Sequence, residues 1–234
     1  MCLNLNRQQL SAVLTSAFKA PALLSVTMLL SACALSSGAA PRGMTPIVRV
    51  PETVASAAPA AAVVPAEAQQ QFDKALLLLR AGQTASATQQ LQQLAAGYPA
   101  FAGPLINLGL IELKGGRYDA AAKLFQQALE RDARSTAANN YLGVSYRYLG
   151  RFKEAEAAYQ AAIAADETYP AAHLNLGVLY DLYLQQPESA LQQYERYQSL
   201  LDAPDAKVSG WIKELSSRLN ADKKARPAAG GAQP

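Results

Sequence analysis

Few side chains in this sequence are suited to catalysis. His173 is the only histidine, and Cys2 and Cys33 are the only cysteines. A single histidine cannot form a two-histidine metal site, and no cysteine nucleophile paired with a histidine is predicted. We therefore predict no enzyme, no metal site and no cofactor, and we interpret His173 as a helix-packing residue.

Two further sequence patterns, a pair of glycines and a pair of glutamates, lack what a phosphate-binding loop or a catalytic carboxylate pair requires. The stretch KGGRYD at residues 114–119 has adjacent glycines but not the Gly-Lys-Ser/Thr ending of a phosphate-binding loop, so it is predicted to be a turn. Glu154 and Glu156 are two residues apart, which places them on different faces of a helix and prevents them from acting as a carboxylate pair.

An apolar run at residues 21–32 raises the question of membrane attachment. It is shorter than the about 20 residues of a transmembrane helix. Arg7 and Lys19 precede it, and no Asp or Glu occurs before Cys33. A positive segment, a short apolar segment and small residues are typical of a secretory signal peptide. We therefore predict that residues 1–32 are a signal peptide that is removed.

Leu30-Ser31-Ala32, followed by Cys33, resembles the lipobox of bacterial lipoproteins. In that family the leader is cut before the cysteine, whose thiol and new amino group are acylated. The resemblance implies that Cys33 anchors the chain in a membrane, because several acyl chains together bind almost irreversibly. Alanine rather than aspartate at position 34 implies the outer membrane. The alternative is a plain secretory peptide followed by an unmodified cysteine.

Two segments are predicted to be disordered. Residues 33–66 contain repeated prolines and little large apolar surface, so they are predicted to form a tether, and residues 221–234 are predicted to form a loose tail. The chain has 21 Lys and Arg against 18 Asp and Glu. Because Arg7 and Lys19 belong to the leader, the processed chain is nearly neutral, which gives no reason to expect nucleic acid as a partner.

Between these segments the sequence repeats with a period of 34 residues. Leu-Gly pairs recur at residues 108–109, 142–143 and 176–177. The same spacing relates a second glycine series, an alanine series and a large apolar series: Gly82, Gly116, Gly150; Ala87, Ala121, Ala155; and Leu91, Phe125, Tyr159. A period of this length is typical of stacked helical hairpins.

The period and its residues resemble the tetratricopeptide repeat (TPR). Tyr146 and Tyr180 supply the tyrosine that follows the Leu-Gly pair in that family, whereas Glu112 replaces it in the second unit. The first unit has Lys74-Ala75 instead of Leu-Gly, and the fourth has an extra residue and no turn glycine. The resemblance implies an all-α, right-handed solenoid within residues 67–201, with four helix–turn–helix units at about 68–101, 102–135, 136–169 and 170–201.

The glycines predict specific contacts. Inside a helix, glycine costs about 1 kcal/mol relative to alanine, so we expect Gly109, Gly143 and Gly177 to be compensated by close helix approach. The residues expected to pack against these three positions are Phe125, Tyr159 and Tyr194. The turn glycines Gly82, Gly116 and Gly150 are expected in the left-handed conformation that ends a helix.

Residues 204–220 predict a capping helix for the last unit. Asp205 is the expected N-cap, and an apolar stripe follows it at Val208, Trp211, Ile212, Leu215 and Leu219. Trp211, the only tryptophan, is predicted to anchor this helix, with a peptide-binding role as the alternative.

The TPR resemblance also implies a concave groove lined by first helices. The family's ligand-contacting positions fall on Phe72, Leu76, Leu79, Ile106, Asn107, Leu110, Leu113, Asn140, Tyr141, Val144, Arg147, Leu174, Asn175, Val178 and Asp181. The chaperone-binding branch holds a peptide carboxylate with lysines and asparagines, but these positions are largely apolar here, so that clamp is not expected. The alternative is that the aliphatic residues only pack between helices.

We therefore predict a monomeric, periplasm-facing lipoprotein of the bacterial outer membrane. Its array is expected to bind a peptide segment of a cell-envelope protein in the groove. Resemblance to other TPR lipoproteins implies a role in envelope assembly, secretion or TonB-type transport. Two alternatives stay open: an activator of a peptidoglycan enzyme, and a self-associating structural protein whose groove receives another copy's tail or capping helix.

Overall fold

The computed structural model describes residues 64–229, and of residues 225–229 it describes the backbone alone. Nine α-helices and no strand occur in this range, which confirms the all-α prediction. The helices are α1 (Ala66–Arg80), α2 (Thr84–Gly97), α3 (Gly103–Lys114), α4 (Tyr118–Arg131), α5 (Thr136–Tyr148), α6 (Phe152–Ala165), α7 (Pro170–Leu182), α8 (Pro187–Ser199) and α9 (Ala206–Ala229). The predicted signal peptide, Cys33 and the tether up to residue 63 lie outside the described residues.

Helices that follow one another in the chain pack against one another, so α1 to α8 form a row of four antiparallel pairs. The first helices of successive pairs also contact one another directly, α3 with α5 and α5 with α7. In the described range the second helices make no comparable contacts with each other. The row therefore curves with its first helices on the inner side. None of the described helices has the length and apolar character that crossing a bilayer requires.

Close approach within each pair explains the internal glycines. A Cβ added to Gly109 would lie 2.6 Å from Phe125 Cε1, and one added to Gly143 would lie 2.6 Å from Tyr159 Cε1. The same atom at Gly177 would lie 2.7 Å from Tyr194 Cδ1. Side chains do not approach this closely without movement, so the predicted glycine–aromatic contacts are confirmed in three pairs.

The turns within the pairs use left-handed residues. Gly82, Gly116 and Gly150 have φ values of 74°, 73° and 73°, as predicted. In the fourth pair Gln185 takes this conformation with φ 53°. The extra residue lengthens that turn, and the Gln186 N–H closes it by donating to the Tyr180 carbonyl at 2.9 Å. A residue with a side chain thus occupies a conformation that favours glycine.

Helix α9 covers the last pair through its contact with α8. Asp205 Oδ1 accepts hydrogen bonds from the backbone N–H groups of Lys207 (3.0 Å) and Val208 (3.3 Å), which confirms the predicted N-cap. Val208 and Leu215 are buried, whereas Trp211 is half-buried against the Tyr194 ring at 5.4 Å between centroids. Trp211 thus packs against the array, as predicted, together with the smaller buried residues Val208, Leu215 and Leu219.

The end of α9 differs from the sequence-based expectation. The capping helix was expected to end at residue 220 and to be followed by a loose tail, but it continues to Ala229. Residues 221–226 are Ala, Asp, Lys, Lys, Ala and Arg. Alanine, lysine and arginine have high helix propensity, so the helix extends beyond the last residue that it buries against the array.

Candidate protein-binding groove

The predicted groove residues all lie on the first helices α1, α3, α5 and α7, and most are buried. Of the fifteen positions, Leu79 and Asp181 are partly exposed and the other thirteen are buried. Ile106, Val144 and Val178, for example, have exposed fractions of 0 to 3% and belong to the hydrophobic core. These aliphatic side chains therefore contribute to the stability of the array, and their contact with a ligand remains a prediction.

The first helices α1, α3, α5 and α7, which form the inner row of the array, also bury polar side chains. Seven buried polar or charged residues occur in the described range, and all seven lie on α3, α5 or α7. They are Asn107, Asn139, Asn140, Ser145, Arg147, His173 and Asn175. The second helices bury apolar and tyrosine side chains instead. The two layers of the array thus have different chemical characters.

Two of the predicted groove asparagines are hydrogen-bonded to each other. Asn175 Nδ2 on α7 donates to Asn140 Oδ1 on α5 at 3.0 Å, which joins two neighbouring first helices. Asn107 Nδ2 instead donates to the Gly103 carbonyl of its own helix at 3.0 Å. The structure therefore brings Asn140 and Asn175 together, and it shows Asn107 bonded within its own helix.

Arg147 is surrounded by tyrosines. Its Nε lies 3.4 Å from Tyr159 Oη and its Nη1 lies 3.4 Å from Tyr183 Oη. The guanidinium also lies over the Tyr148 and Tyr183 rings, at 5.0 and 5.7 Å from their centroids. The arginine is 2% exposed. Cation–π contacts and hydroxyl acceptors thus stabilise a buried positive charge.

Sequence reasoning missed this tyrosine surround. Tyr159 was expected only to pack on Gly143, and Tyr148 and Tyr183 were assigned no role. The bonded residues are 12 and 36 positions from Arg147, which is not a spacing that one helix brings together. The only available signal was Tyr159, which occupies the repeat position that Phe125 holds in the second unit. Unlike phenylalanine, a buried tyrosine has a hydroxyl that requires a hydrogen-bond partner.

The buried phenols are held in their neutral form. Burial raises the pKa of Tyr159 to about 12, although the Arg147 charge beside it acts in the opposite direction. Burial likewise raises the pKa of Tyr141 and of Tyr194. At neutral pH these hydroxyls donate and accept hydrogen bonds and provide no negative charge.

His173 has a packing role, as predicted. Its Nδ1 lies 2.8 Å from Gln193 Oε1, and its Nε2 lies 3.0 Å from the Glu167 carbonyl oxygen. Both ring nitrogens are therefore engaged by neighbouring residues of the array. The described residues contain no group of three or more His, Cys, Asp or Glu side chains that could hold a metal ion.

A cavity of about 240 Å³ lies between the end of α7 and the capping helix. Asp181 connects its two walls, because Asp181 Oδ1 accepts from Arg218 Nη2 at 3.3 Å and Asp181 Oδ2 accepts from Tyr194 Oη at 3.4 Å. Trp211 is also part of the lining. The predicted groove residue Asp181 is thus tied to the capping helix.

The repeats can now be compared with known proteins. The profile of the tetratricopeptide repeat matches residues 72–138, 106–170 and 142–206, which together make up more than half of the chain. This chain belongs to the tetratricopeptide repeat family. TPR arrays are protein-interaction scaffolds, and this family assignment confirms the predicted repeat type. No curated protein sequence matches the chain.

Several solved TPR structures are similar in fold. PilF of Pseudomonas aeruginosa is 22% identical with a TM-score of 0.59, over 71% of this chain and 78% of its own. MamA of Desulfovibrio magneticus RS-1 is 21% identical with a TM-score of 0.57, over 70% of this chain and 92% of its own. The first TPR of Spaghetti (RPAP3), bound to an HSP90 peptide, is 24% identical with a TM-score of 0.48, over 51% of this chain and 93% of its own. At these identities the likeness concerns the fold alone.

Proposed function

We propose that this TPR protein is a lipid-anchored scaffold on the periplasmic face of the bacterial outer membrane. Its inner row of first helices binds a peptide segment of a cell-envelope protein. In this role it assists an assembly, secretion or TonB-type transport machine. Binding, rather than catalysis, is its activity.

The concentration of buried polar groups on the inner row is the observation that carries the proposal. Burying a polar group costs free energy unless it is hydrogen-bonded, and helix packing alone is served equally well by apolar residues. The second helices, which face away from the groove, bury no Asn, Ser, His or Arg. Four of the seven buried polar residues occupy predicted groove positions, where amide and guanidinium groups are suited to bind a peptide backbone: Asn107, Asn140, Arg147 and Asn175.

The anchor is supported by the order of segments before the array. A short apolar run, a lipobox-like ending at Cys33 and a proline-rich stretch precede the first helix. Several acyl chains on Cys33 would hold the protein at the membrane, and an extended segment after it would separate the array from the bilayer surface. The array would then face proteins of the periplasm and the outer membrane.

Substitution of the candidate lipidation site tests the anchor. Cys33→Ser should remove the acyl chains and release the protein into the soluble periplasmic fraction. Cys2→Ser is the matched control, because that cysteine lies in the leader and its loss should leave the protein in the membrane fraction. Membrane retention of Cys33→Ser, or equal release of both variants, would reject the lipid anchor.

Site-specific photocrosslinking in cells tests the binding surface. A crosslinking residue at Leu79 or Asp181, the two partly exposed groove positions, should capture a distinct envelope protein. Gln127 on α4 provides the outer-face control, since it is exposed and lies on a second helix. Equal capture from Gln127 would contradict groove binding. Capture of a second copy would favour self-association, and capture of a peptidoglycan hydrolase would favour the activator alternative.

A further inference from the structure

Net charge is distributed unevenly between the array and its capping helix. The array, residues 64–205, contains 11 Lys and Arg and 15 Asp and Glu, which gives it a net charge of −4. Helix α9 contains six Lys and Arg and two Asp and Glu, which gives it a net charge of +4. The near neutrality of the whole chain therefore results from two opposite charges that lie in different parts of it.

The positive side chains of α9 are accessible. Five Lys and Arg side chains of this helix are described by the structure, and all five are exposed. Arg218 donates to Asp181 across the cavity. Lys213, Lys223 and Lys224 form no hydrogen bond or ion pair with any described residue. Three positive charges of α9 are thus available to a partner outside the array.

The last part of α9 extends beyond its packing contacts. Leu219 is the last residue of the helix that the structure shows as buried, and residues 220–224 are all exposed. The helix nevertheless continues to Ala229, about 15 Å further at about 1.5 Å per residue. Most helical stability in proteins comes from packing, so this segment adds little to the stability of the array. What it presents to its surroundings is positive charge.

The composition of this segment indicates the class of partner. Residues 220–229 contain no aromatic residue and no Leu, Ile, Val or Met. Protein interfaces are dominated by a few large side chains that fill pockets, aromatic ones above all, and this segment has none to offer. An anionic phospholipid surface requires no such anchor, because each Lys or Arg near it contributes a factor of about five in affinity through charge alone.

The array of a second copy is a less suitable partner, although its net charge is negative. Its acidic side chains are interspersed with 11 Lys and Arg. Glu112 pairs with Arg117, and Glu154 pairs with Arg151. Part of the negative charge of the array is therefore already neutralised by its own side chains.

From these observations we infer that the exposed lysines of α9 bind the anionic headgroups of a phospholipid membrane. This inference goes beyond the proposed groove binding, and it relies on the proposed lipid anchor only to bring the array close to a bilayer. The array itself is repelled by an anionic surface, because like charges repel. The protein is then held at two points, by the tether before α1 and by α9 after the fourth pair, so the array lies along the membrane.

The expected strength of this contact is moderate. A factor of about five for each lysine amounts to about 100-fold for Lys213, Lys223 and Lys224 together. Several acyl chains on one cysteine bind far more tightly, so Cys33→Ser should still release the protein during cell fractionation. The contact of α9 therefore orients a protein that the anchor already holds at the membrane.

Co-sedimentation of the purified Cys33→Ser protein with vesicles tests the contact, because this variant lacks the proposed acyl anchor. Vesicles of two parts phosphatidylcholine and one part phosphatidylglycerol are anionic, and vesicles of phosphatidylcholine alone are the neutral reference. We expect binding to the anionic vesicles alone at about 50 mM NaCl, and loss of binding at about 0.5 M NaCl because salt screens exposed charges. Equal binding to both kinds of vesicle, or no binding to the anionic ones, would overturn the inference.

Two triple variants of the Cys33→Ser protein separate the position of the charges from the net charge. The α9 variant replaces three lysines of the helix with glutamine, which has a similar helix propensity: Lys213→Gln, Lys223→Gln and Lys224→Gln. The array variant replaces three exposed lysines of the array: Lys74→Gln, Lys123→Gln and Lys153→Gln. The α9 variant should bind the anionic vesicles about 100-fold more weakly, whereas the array variant should keep most of its affinity. Equal losses in the two variants would mean that net charge alone determines binding, against the inference.

Light scattering without vesicles tests the competing partner. The Cys33→Ser protein should remain monomeric in the same low-salt buffer. A dimer that dissociates at high salt and is absent from the α9 variant would assign these lysines to a second copy and would refute the membrane contact. None of these measurements involves the groove or an acylated cysteine, so their failure would leave the crosslinking and fractionation tests of the proposed function unaffected.

Discussion

The two middle pairs of the array and the two end pairs meet the same packing requirements in different ways. The middle pairs, α3–α4 and α5–α6, combine an internal glycine opposite an aromatic ring with a turn glycine of positive φ. The first pair keeps the turn glycine but has Ala75 and Leu91 at the other two positions, and both are fully buried. The fourth pair keeps the glycine–ring contact but turns at Gln185.

This difference shows which features of the repeat depend on each other. Where the first helix gains a Cβ, as at Ala75, the second helix presents leucine instead of a planar ring, so the volume at the contact is conserved. The turn varies independently, because the fourth pair keeps Gly177 against Tyr194 while its turn is longer by one residue. Helix contact and turn conformation are therefore two separate requirements, and each end pair departs from one of them.

Removal of a ring from a middle pair should have the largest effect. Tyr159→Ala deletes a fully buried side chain and its hydrogen bond with Arg147, and it should destabilise the protein by about 3–5 kcal/mol. Leu91→Ala in the first pair is the matched end-pair variant and removes a smaller side chain. Denaturant unfolding followed by circular dichroism measures both. A loss below about 1 kcal/mol for Tyr159→Ala would contradict the close contact.

The sign of the effect of Gly143→Ala distinguishes packing from helix propensity. Alanine gains about 1 kcal/mol as a helix former, but its Cβ would lie 2.6 Å from Tyr159 Cε1. Overpacking costs about 1–3 kcal/mol, so we expect a net destabilisation of up to about 2 kcal/mol by the same assay. In the first pair Ala75→Gly should also destabilise. A gain in stability for Gly143→Ala would show that the glycine is not required.

A double substitution converts a middle pair into the composition of the first pair. Gly143→Ala combined with Tyr159→Leu recreates the alanine–leucine pair of positions 75 and 91. The double variant should be more stable than the sum of the two single effects predicts, by about 1 kcal/mol or more. Strict additivity of the two free-energy changes would argue against the volume exchange.

The turn glycines should show an effect of similar size that involves no contact. Gly150 has φ 73°, and a Cβ there would meet no atom within 4 Å, so Gly150→Ala tests backbone strain alone. We expect a loss of about 1–2 kcal/mol. An unchanged midpoint of denaturation would mean that the turn can relax to negative φ.

The reverse change at the fourth turn should have the smallest effect. Gln185→Gly relieves a side chain at φ 53° and should stabilise the protein by at most about 1 kcal/mol. Gln186→Gly is the control, because that residue has a negative φ of −113° and gains no relief. A loss of stability for Gln185→Gly would indicate that its side chain supports the cavity that it lines.

The sequence predicts the helix contacts that depend on repeated residues and misses a side-chain cluster that occurs once. Gly109 and Phe125 share their period with two other pairs, so their contact could be inferred before any coordinates were known. The surround of Arg147 occurs once and joins residues of α5 and α6 to Tyr183, which follows α7, so no periodic signal announces it. The sequence left burial of the aliphatic groove positions open as an alternative, since a position's place on a helix face does not determine how closely the neighbouring helix approaches it.

The long capping helix sets a limit on growth of the array. Because α9 lies against α8, the open side of the last pair is already occupied. A further unit or another molecule could attach there only by displacing a helix with a capped N-terminus and three buried apolar residues. End-to-end polymers of the kind that heterologous contacts produce are thereby disfavoured at this terminus. The array is therefore capped after its fourth pair, and a larger assembly is expected to form through a different face.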